Sequence, residues 1–403
     1  MKDRSRITIL AFSTALTVAL LIGAVLGQDR GSTEPYRPLS VLSEVLSRIQ
    51  TDYVEDPAFS KVTEGALHGM LESLDSYSSY LTPEEYKEYQ KGPQGDASIG
   101  AVITKRYGFA RIVALLPGGA AEKAGLAPFD TIESIDGHTT RDMSYAEVLL
   151  RLEGSTGSTV TLAVVREQAQ PLPIEVKRET TRVPEIESRL LEGGIGYLRS
   201  AALPKGETDK IAAKIRDLRR SGAKKFILDL RDNALGDTEE GVATANLFIK
   251  RGLLAYLEGQ QHPRKSFLAE EAKAIAEEPL VVLVNDSTAG AAEIVAAAIL
   301  DNHRGDVVGM STFGIGSIQK VIPLEDGSAL ILSVAKYYTP VGKVIQDEGV
   351  TPNVVVEQER DFVSLLDQQE APPAPPARQP REDAPLKRAI ELLKAQDSLP
   401  RAA

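Results

Sequence analysis

Leu280-Val-Val-Leu-Val-Asn-Asp-Ser-Thr-Ala-Gly-Ala-Ala-Glu-Ile294 decides the fold of the larger part of this chain. Its opening run, Leu280 to Asn285, lacks the polar alternation of a strand with one wet face and predicts a strand buried on both. A turn of small residues follows, and Ala291 to Leu300 then predicts a helix that is apolar almost all round. A buried strand feeding a helix is the repeating unit of an α/β sheet. The pattern extends both ways. Ile195-Gly-Tyr-Leu198 predicts a strand, Asp209 to Ser221 an amphipathic helix, and Phe226-Ile-Leu-Asp-Leu230 a second buried strand with a helix running through Phe248. Val307-Val308 and Ser328 to Val334 add strands, so residues 185–357 are expected to form one α/β core.

Upstream, residues 97–180 switch to short alternating strands at Gly100–Thr104, Ala110–Ala114, Thr131–Ile135 and Val160–Val164. Helical pieces at Ala120–Ala124 and Tyr145–Leu152 interrupt them, which describes a compact β-rich module. Residues 39–90 carry apolar positions at helical spacing (Val41, Leu42, Val45, Leu46 and Ile49, then Ala66, Leu67, Met70, Leu71 and Leu74) and are expected to be helical. Asp75-Ser-Tyr-Ser-Ser79 breaks that pattern. Thr82-Pro83-Glu84-Glu85 restarts it with an N-cap, a proline in the first turn and acids beside the positive end of the helix. Residues 358–383 form a Pro/Ala-rich linker, and 384–396 a short amphipathic helix.

The N-terminus predicts location. Residues 7–27 contain no charge and follow Lys2, Arg4 and Arg6 in a basic flank at 1–6. A helix of that length just spans a hydrocarbon core of about 30 Å, and the basic flank stays cytoplasmic. The segment is read as a retained anchor, with a cleaved signal peptide as the alternative. Either way, everything beyond the 28–38 linker is expected on the extracytoplasmic side, as the body of a single-pass protein of the cell membrane.

Composition narrows the chemistry. The 403 residues predict two or three domains. A net charge of −11 argues against nucleic acid as a partner, because phosphate binding needs clustered positive charge. There is no Cys, which excludes thiolate nucleophiles and Cys-ligated zinc. His68, His138, His262 and His303 stand singly, so neither a metal nor another cofactor is expected.

Three stretches point to one family. Glu64 to Gln90 reads EGALHGMLESLDSYSSYLTPEEYKEYQ. Pro117-Gly-Gly-Ala-Ala-Glu-Lys-Ala-Gly-Leu126 is followed by Phe129-Asp130 and Ile135-Asp136-Gly137. Leu191-Glu-Gly-Gly-Ile-Gly-Tyr197 opens a region that closes on Gly349-Val-Thr-Pro-Asn353. In this order, over about residues 39–357, they resemble the carboxy-terminal (tail-specific) processing peptidases. The resemblance implies a multidomain α/β and α+β chain: an N-terminal helical region, a PDZ domain at 97–180 and a tail-specific-peptidase-type core at 185–357.

It also implies a catalytic dyad, and here the sequence departs. The family's serine lies in a turn of the form G-S-A-S-A-S-E-I, three residues before the Glu. The matching text is Ser287-Thr-Ala-Gly-Ala-Ala-Glu293-Ile294, which puts Gly290 at the nucleophile position. The family's lysine general base lies in T-F-G-K-G-S-x-Q. Here Thr312-Phe-Gly-Ile-Gly-Ser-Ile-Gln319 puts Ile315 at the base position and retains Gln319. A hydroxyl needs a base to become nucleophilic, and both groups are absent. The oxyanion turn, usually R-N-N-P-G-G, reads Arg231-Asp-Asn-Ala-Leu-Gly236, leaving Leu235, Gly236 and Ala291 as candidate backbone donors. Gly290 can instead cap the helix, with Glu293 at its third position. Ile315 is expected to be buried, so that Ile315→Lys should lower the melting temperature. Ser287, Ser317 and Lys320 are the candidates for a relocated dyad. In an extended segment, however, 315, 317 and 319 share one face and Lys320 points to the other.

A PDZ domain adds a ligand strand to a sheet edge and receives its terminal carboxylate on loop amides. By resemblance the loop is Ala97-Ser98-Ile99-Gly100 and the strand continues through Ala101 and Val102. Val148 and Leu149, with Tyr145 and Leu152 at helical spacing, are candidates to line the groove, the alternative being that they pack the core. Glu153 stands where the family often has Arg.

The leading expectation is a catalytically degenerate homologue rather than an enzyme. It would bind unstructured or C-terminal peptide segments of exported proteins, as an adaptor or regulatory subunit, with an active family member or a second copy as a possible partner. An active serine endopeptidase with a relocated nucleophile and a structural oligomerisation subunit are the alternatives.

Overall fold

The computed structural model describes residues 37–92, 95–166, 170–357 and 383–395. The segment at 7–27 and nearly all of the 358–383 linker lie outside these residues, and among the described residues no helix is long and apolar enough to cross a membrane. The chain divides into two units, Met1–Ala66 and Leu67–Ala403.

In the first unit, α1 (Arg37–Asp52) half-buries Leu42, Leu46 and Ile49 and leaves Leu39, Val41 and Val45 exposed. Helix α2 (Phe59–Glu72) crosses the division and ends in the second unit.

There the Asp75 carboxylate accepts the Tyr77 and Ser78 amides, each at 2.8 Å, and turns the chain into β1 (Ser79–Leu81). The break expected at 75–79 thus leads into a short strand that the sequence reading did not place. Three residues are too few to show a strand period, and β1 exists because a partner strand lies ready in the core. Thr82 then caps α3 (Pro83–Lys91) in a capping box with Glu85, as its sequence predicts.

The PDZ module comprises β2 (Ala97–Ser98), β3 (Ala101–Arg106), β4 (Phe109–Leu115), α4 (Ala120–Lys123), β5 (Thr131–Ile135), β6 (His138–Thr139), α5 (Tyr145–Leu152), β7 (Thr159–Val165), β8 (Leu172–Lys177) and β9 (Glu179–Thr180). Its main sheet runs β3-β4-β5-β7-β8, with β6 on β5, while β2 pairs with β9. Strand β3 is therefore an edge. Ile112, Ile132, Ile135, Val148 and Leu162 are fully buried inside the module. Arg178 donates to the Leu152 and Arg151 carbonyls and caps the end of α5.

The core sheet runs β10-β11-β12-β15-β16-β19, from β10 (Glu187–Leu191), β11 (Ile195–Arg199), β12 (Lys225–Asp229), β15 (Leu280–Val284), β16 (Asp306–Gly309) and β19 (Val354–Val355). Only β10 is antiparallel, and its exposed polar residues gave no strand signal. The pleat sorts the apolar runs onto two faces. Phe226, Leu228, Val282 and Val284 pack with α6 (Glu207–Arg220), α7 (Thr238–Asn246) and α8 (Ala291–Asp301). Ile227, Val281 and Leu283 face α9 (Ala384–Ala395), which contributes Ala389 and Leu393. A second core sheet has the order β1-β18-β13-β14, built with β13 (Leu253–Gly259), β14 (His262–Leu268) and β18 (Ala329–Tyr338); β17 (Ser317–Pro323) also pairs with β18.

Helix α9 is fastened at both ends. Asp383, which also caps its first turn through the Leu386 amide at 3.1 Å, receives Arg231 at 2.8 and 2.9 Å. At the other end buried Lys225 donates to the Leu393 carbonyl at 2.6 Å. Asp383→Ala removes a cap and an ion pair, together about 1.5 kcal/mol. Native-state hydrogen exchange of residues 384–395 should then accelerate about tenfold while β15 and α8 stay protected; unchanged rates would mean that apolar packing alone seats the helix.

Candidate functional site

The site forms where β12 and β15 end. Asn285, just past β15, accepts the Asp232 amide at 3.0 Å and donates to the Asp232 carboxylate at 2.8 Å. Ala289 N–H donates to the Asn233 carbonyl at 2.9 Å, and the Thr288 hydroxyl to the Leu230 carbonyl at 2.8 Å. The turn at 231–236 and the turn at 285–290 are thus stitched together. Behind them Asp229, fully buried, holds Arg231 and accepts the Tyr197 hydroxyl at 2.8 Å. This cluster escaped the sequence reading; an acid at the end of a buried strand followed two residues later by Arg was the available signal.

Gly290 caps α8 with φ +62 and ψ −120, a backbone conformation that favours glycine. Its amide donates to Glu293 Oε2 at 2.8 Å, and so does the amide of Ile315, also at 2.8 Å. Glu293 Oε1 accepts the Gly314 amide at 2.7 Å and the Thr312 hydroxyl. One buried carboxylate therefore brings together Gly290 and Ile315, the two positions that the resemblance matches to a serine and a lysine. Burial pushes the Glu293 carboxyl up to about 7, opposed by its four donors.

A side chain at 290 has room. A Cβ built there meets only the Ala234 carbonyl oxygen, at 4.0 Å, so the position faces the 231–236 turn. Of the candidate oxyanion donors, Ala291 is the first residue of α8, where an amide has no acceptor within the helix. Leu235 is exposed on the turn, and Gly236 packs against the Leu203 backbone too closely to admit a Cβ.

Several expectations need correction. Ile315 is half-buried, not buried, and lies in the loop before β17. Its replacement by Lys should therefore shift stability by less than about 1 kcal/mol, as for a surface change, a prediction that a urea midpoint checks. Ser287 is fully buried and closed to a substrate. A bulge between Ile318 and Gln319 breaks the expected alternation along 315–320. Gln319 is exposed and donates to the Ser317 and Ser333 hydroxyls at 2.9 and 3.2 Å.

The PDZ edge opens onto the same place. A groove of about 460 Å³ runs from Ser98, Ile99, Gly100, Ala101 and Val102, past Leu149 and Leu152, to Asp232, Leu235 and Gly236. Val148 does not line it. That residue is fully buried in the module's core, because it lies on the face of α5 turned towards the sheet. Two amides of the carboxylate loop are already bonded: Ala97 to the Gly154 carbonyl at 3.1 Å and Gly100 to the Ser98 hydroxyl at 3.1 Å. A larger cavity, about 1040 Å³, lies between α3 and α5, lined by charges of both signs and touching neither dyad position.

A PDZ module sharing a groove with the strand-end turns of an α/β core defines the architecture of PDZ-bearing serine peptidases. Residues 194–356 match peptidase family S41 and residues 111–166 match the PDZ domain. The carboxy-terminal-processing protease of Bartonella bacilliformis is 32% identical over 350 residues, covering 85% of this chain and 80% of the relative. Carboxy-terminal processing protease CtpA of Bacillus subtilis is 31% identical over 89% of this chain and 78% of its own. Among solved structures, the photosystem II D1 C-terminal processing protease superposes with a TM-score of 0.64 at 28% identity, covering 79% of this chain and 92% of that one. The chain belongs to the carboxy-terminal processing peptidases of family S41.

Proposed function

We propose that this chain is a catalytically degenerate member of its family, anchored in the cell membrane by residues 7–27, that binds peptide segments of exported proteins without cleaving them. One observation carries the reading. The two positions that match the family's serine and lysine are Gly290 and Ile315, although Glu293 still gathers both on one oxygen. Such a site keeps its shape and lacks the hydroxyl and amine that acyl transfer requires. An adaptor role beside an active family member fits a site of this kind.

The test is mass spectrometry of an unstructured peptide incubated for a day with the full chain in detergent, alongside a variant with Ser287, Ser311 and Ser317 all changed to Ala. Binding at micromolar concentration without new fragments is the expected result. Fragments made by the parent and not by the triple variant would establish a relocated serine and overturn the proposal.

A further inference from the structure

The groove is acidic. Its lining contains three acidic residues, Asp96, Glu153 and Asp232, and no Lys or Arg. Asp96 accepts the Thr156 hydroxyl at 3.1 Å, and Asp232 is shared with Arg199 at 3.3 Å. Burial pushes the Glu153 carboxyl above its ordinary value, with no cation offsetting it among the described residues. With Asp232 paired to Arg199, a ligand ending in a free carboxylate would still add a negative charge beside Asp96 and Glu153 in a partly desolvated space, where like charges repel more strongly than in water.

The loop geometry points the same way. Capture of a terminal carboxylate needs free amides, and two of the loop's four, those of Ala97 and Gly100, are engaged within the molecule. The β3 edge also has a limit. Gly100 turns its carbonyl towards β4, where it accepts the Leu116 amide at 2.9 Å, so alternation turns the backbone groups of Ala101 outward. Further along, the Tyr145 hydroxyl occupies the Ile103 carbonyl at 3.2 Å. The open edge therefore offers only a few residues of strand pairing, and side-chain contacts must supply the remaining selectivity.

We infer that the groove takes an internal, extended peptide segment bearing Lys or Arg, with the cation held by Glu153 and apolar neighbours lying against Leu149, Leu152 and Leu235. This rests on the proposed peptide-binding reading and names its ligand class.

The test uses the full chain and three fluorescein-labelled decapeptides followed by anisotropy: an apolar peptide with one Lys and an amidated C-terminus, the same peptide with Glu for Lys, and a Lys-free apolar peptide with a free carboxylate. The Lys peptide should bind about tenfold more tightly than either of the others, with affinity falling as salt rises. Glu153→Gln should weaken the Lys peptide about fivefold, and Glu153→Asp should restore most of the loss. Tightest binding of the free-carboxylate peptide, or an unchanged Lys peptide in Glu153→Gln, would overturn the inference while leaving peptide binding intact. If none of the three peptides binds, the inference and the reading beneath it both fail.

Discussion

Gly290→Ser combined with Ile315→Lys is expected to make this chain cleave peptides. Three structural features favour this outcome. The Gly290 and Ile315 amides share Glu293 Oε2, a Cβ at 290 has its nearest neighbour at 4.0 Å, and Ala291 begins a helix whose first amides have no internal acceptor. Position 315 is only half-buried, so a lysine there keeps a pKa near its ordinary value and acts through its small neutral fraction, with turnover rising towards alkaline pH. Turnover in the double variant should exceed that of either single variant on the order of 10³-fold, because a nucleophile and its base act as a unit. Stability moves the other way. A serine held at φ +62 and ψ −120 costs about 1–3 kcal/mol. Fragment yield by mass spectrometry and the urea midpoint measure the two effects on one sample. A double variant that folds and stays silent would show that these two side chains are not sufficient for turnover.

Glu293→Leu is the substitution expected to harm the fold most. Leucine approximates the volume and removes a buried charge, which by itself relieves a desolvation penalty. Against this, it leaves the Gly290, Gly314 and Ile315 amides and the Thr312 hydroxyl without their acceptor. At about 1–3 kcal/mol for each unsatisfied buried group, the lost bonds outweigh the relief, and a net loss of about 3 kcal/mol or more is expected from the urea midpoint. The same residue shapes the pH dependence. Its carboxyl is raised from 4.5 to about 7, so the folded state binds the proton more tightly than the unfolded chain does. Stability from this group therefore falls as pH rises through that window, and Glu293→Gln should flatten the slope between pH 4.5 and 7. A slope unchanged by Glu293→Gln would assign the titration to another group.

The order of domains could be read from the sequence because it rests on local signals, uninterrupted apolar runs and short alternating strands, whereas Gly290 and Ile315 are reached only through the family resemblance. What escaped was set by partners distant in the chain. Strand β1 is three residues long and exists through Ile331 and its neighbours, and β10 is polar because it sits on an edge. Burial of Ile315 is expected because the resemblance puts a desolvated lysine at that position, but its exposure depends on how the loop leaves the 312–314 segment. That Ser98 occupies the Gly100 amide and Tyr145 the Ile103 carbonyl depends on where two hydroxyls point, and no spacing rule reports that.

Arg231 belongs to two structures at once. One side of its guanidinium meets Asp229 at the end of β12, and the other meets Asp383, at the start of the last described helix. Between Glu357 and Asp383 the chain runs on through 25 residues, yet its far end returns to the turn that borders the groove. The tail is thus a second, non-covalent closure of the core. A protein nicked anywhere between those two residues would separate into two pieces in denaturant and travel as one without it.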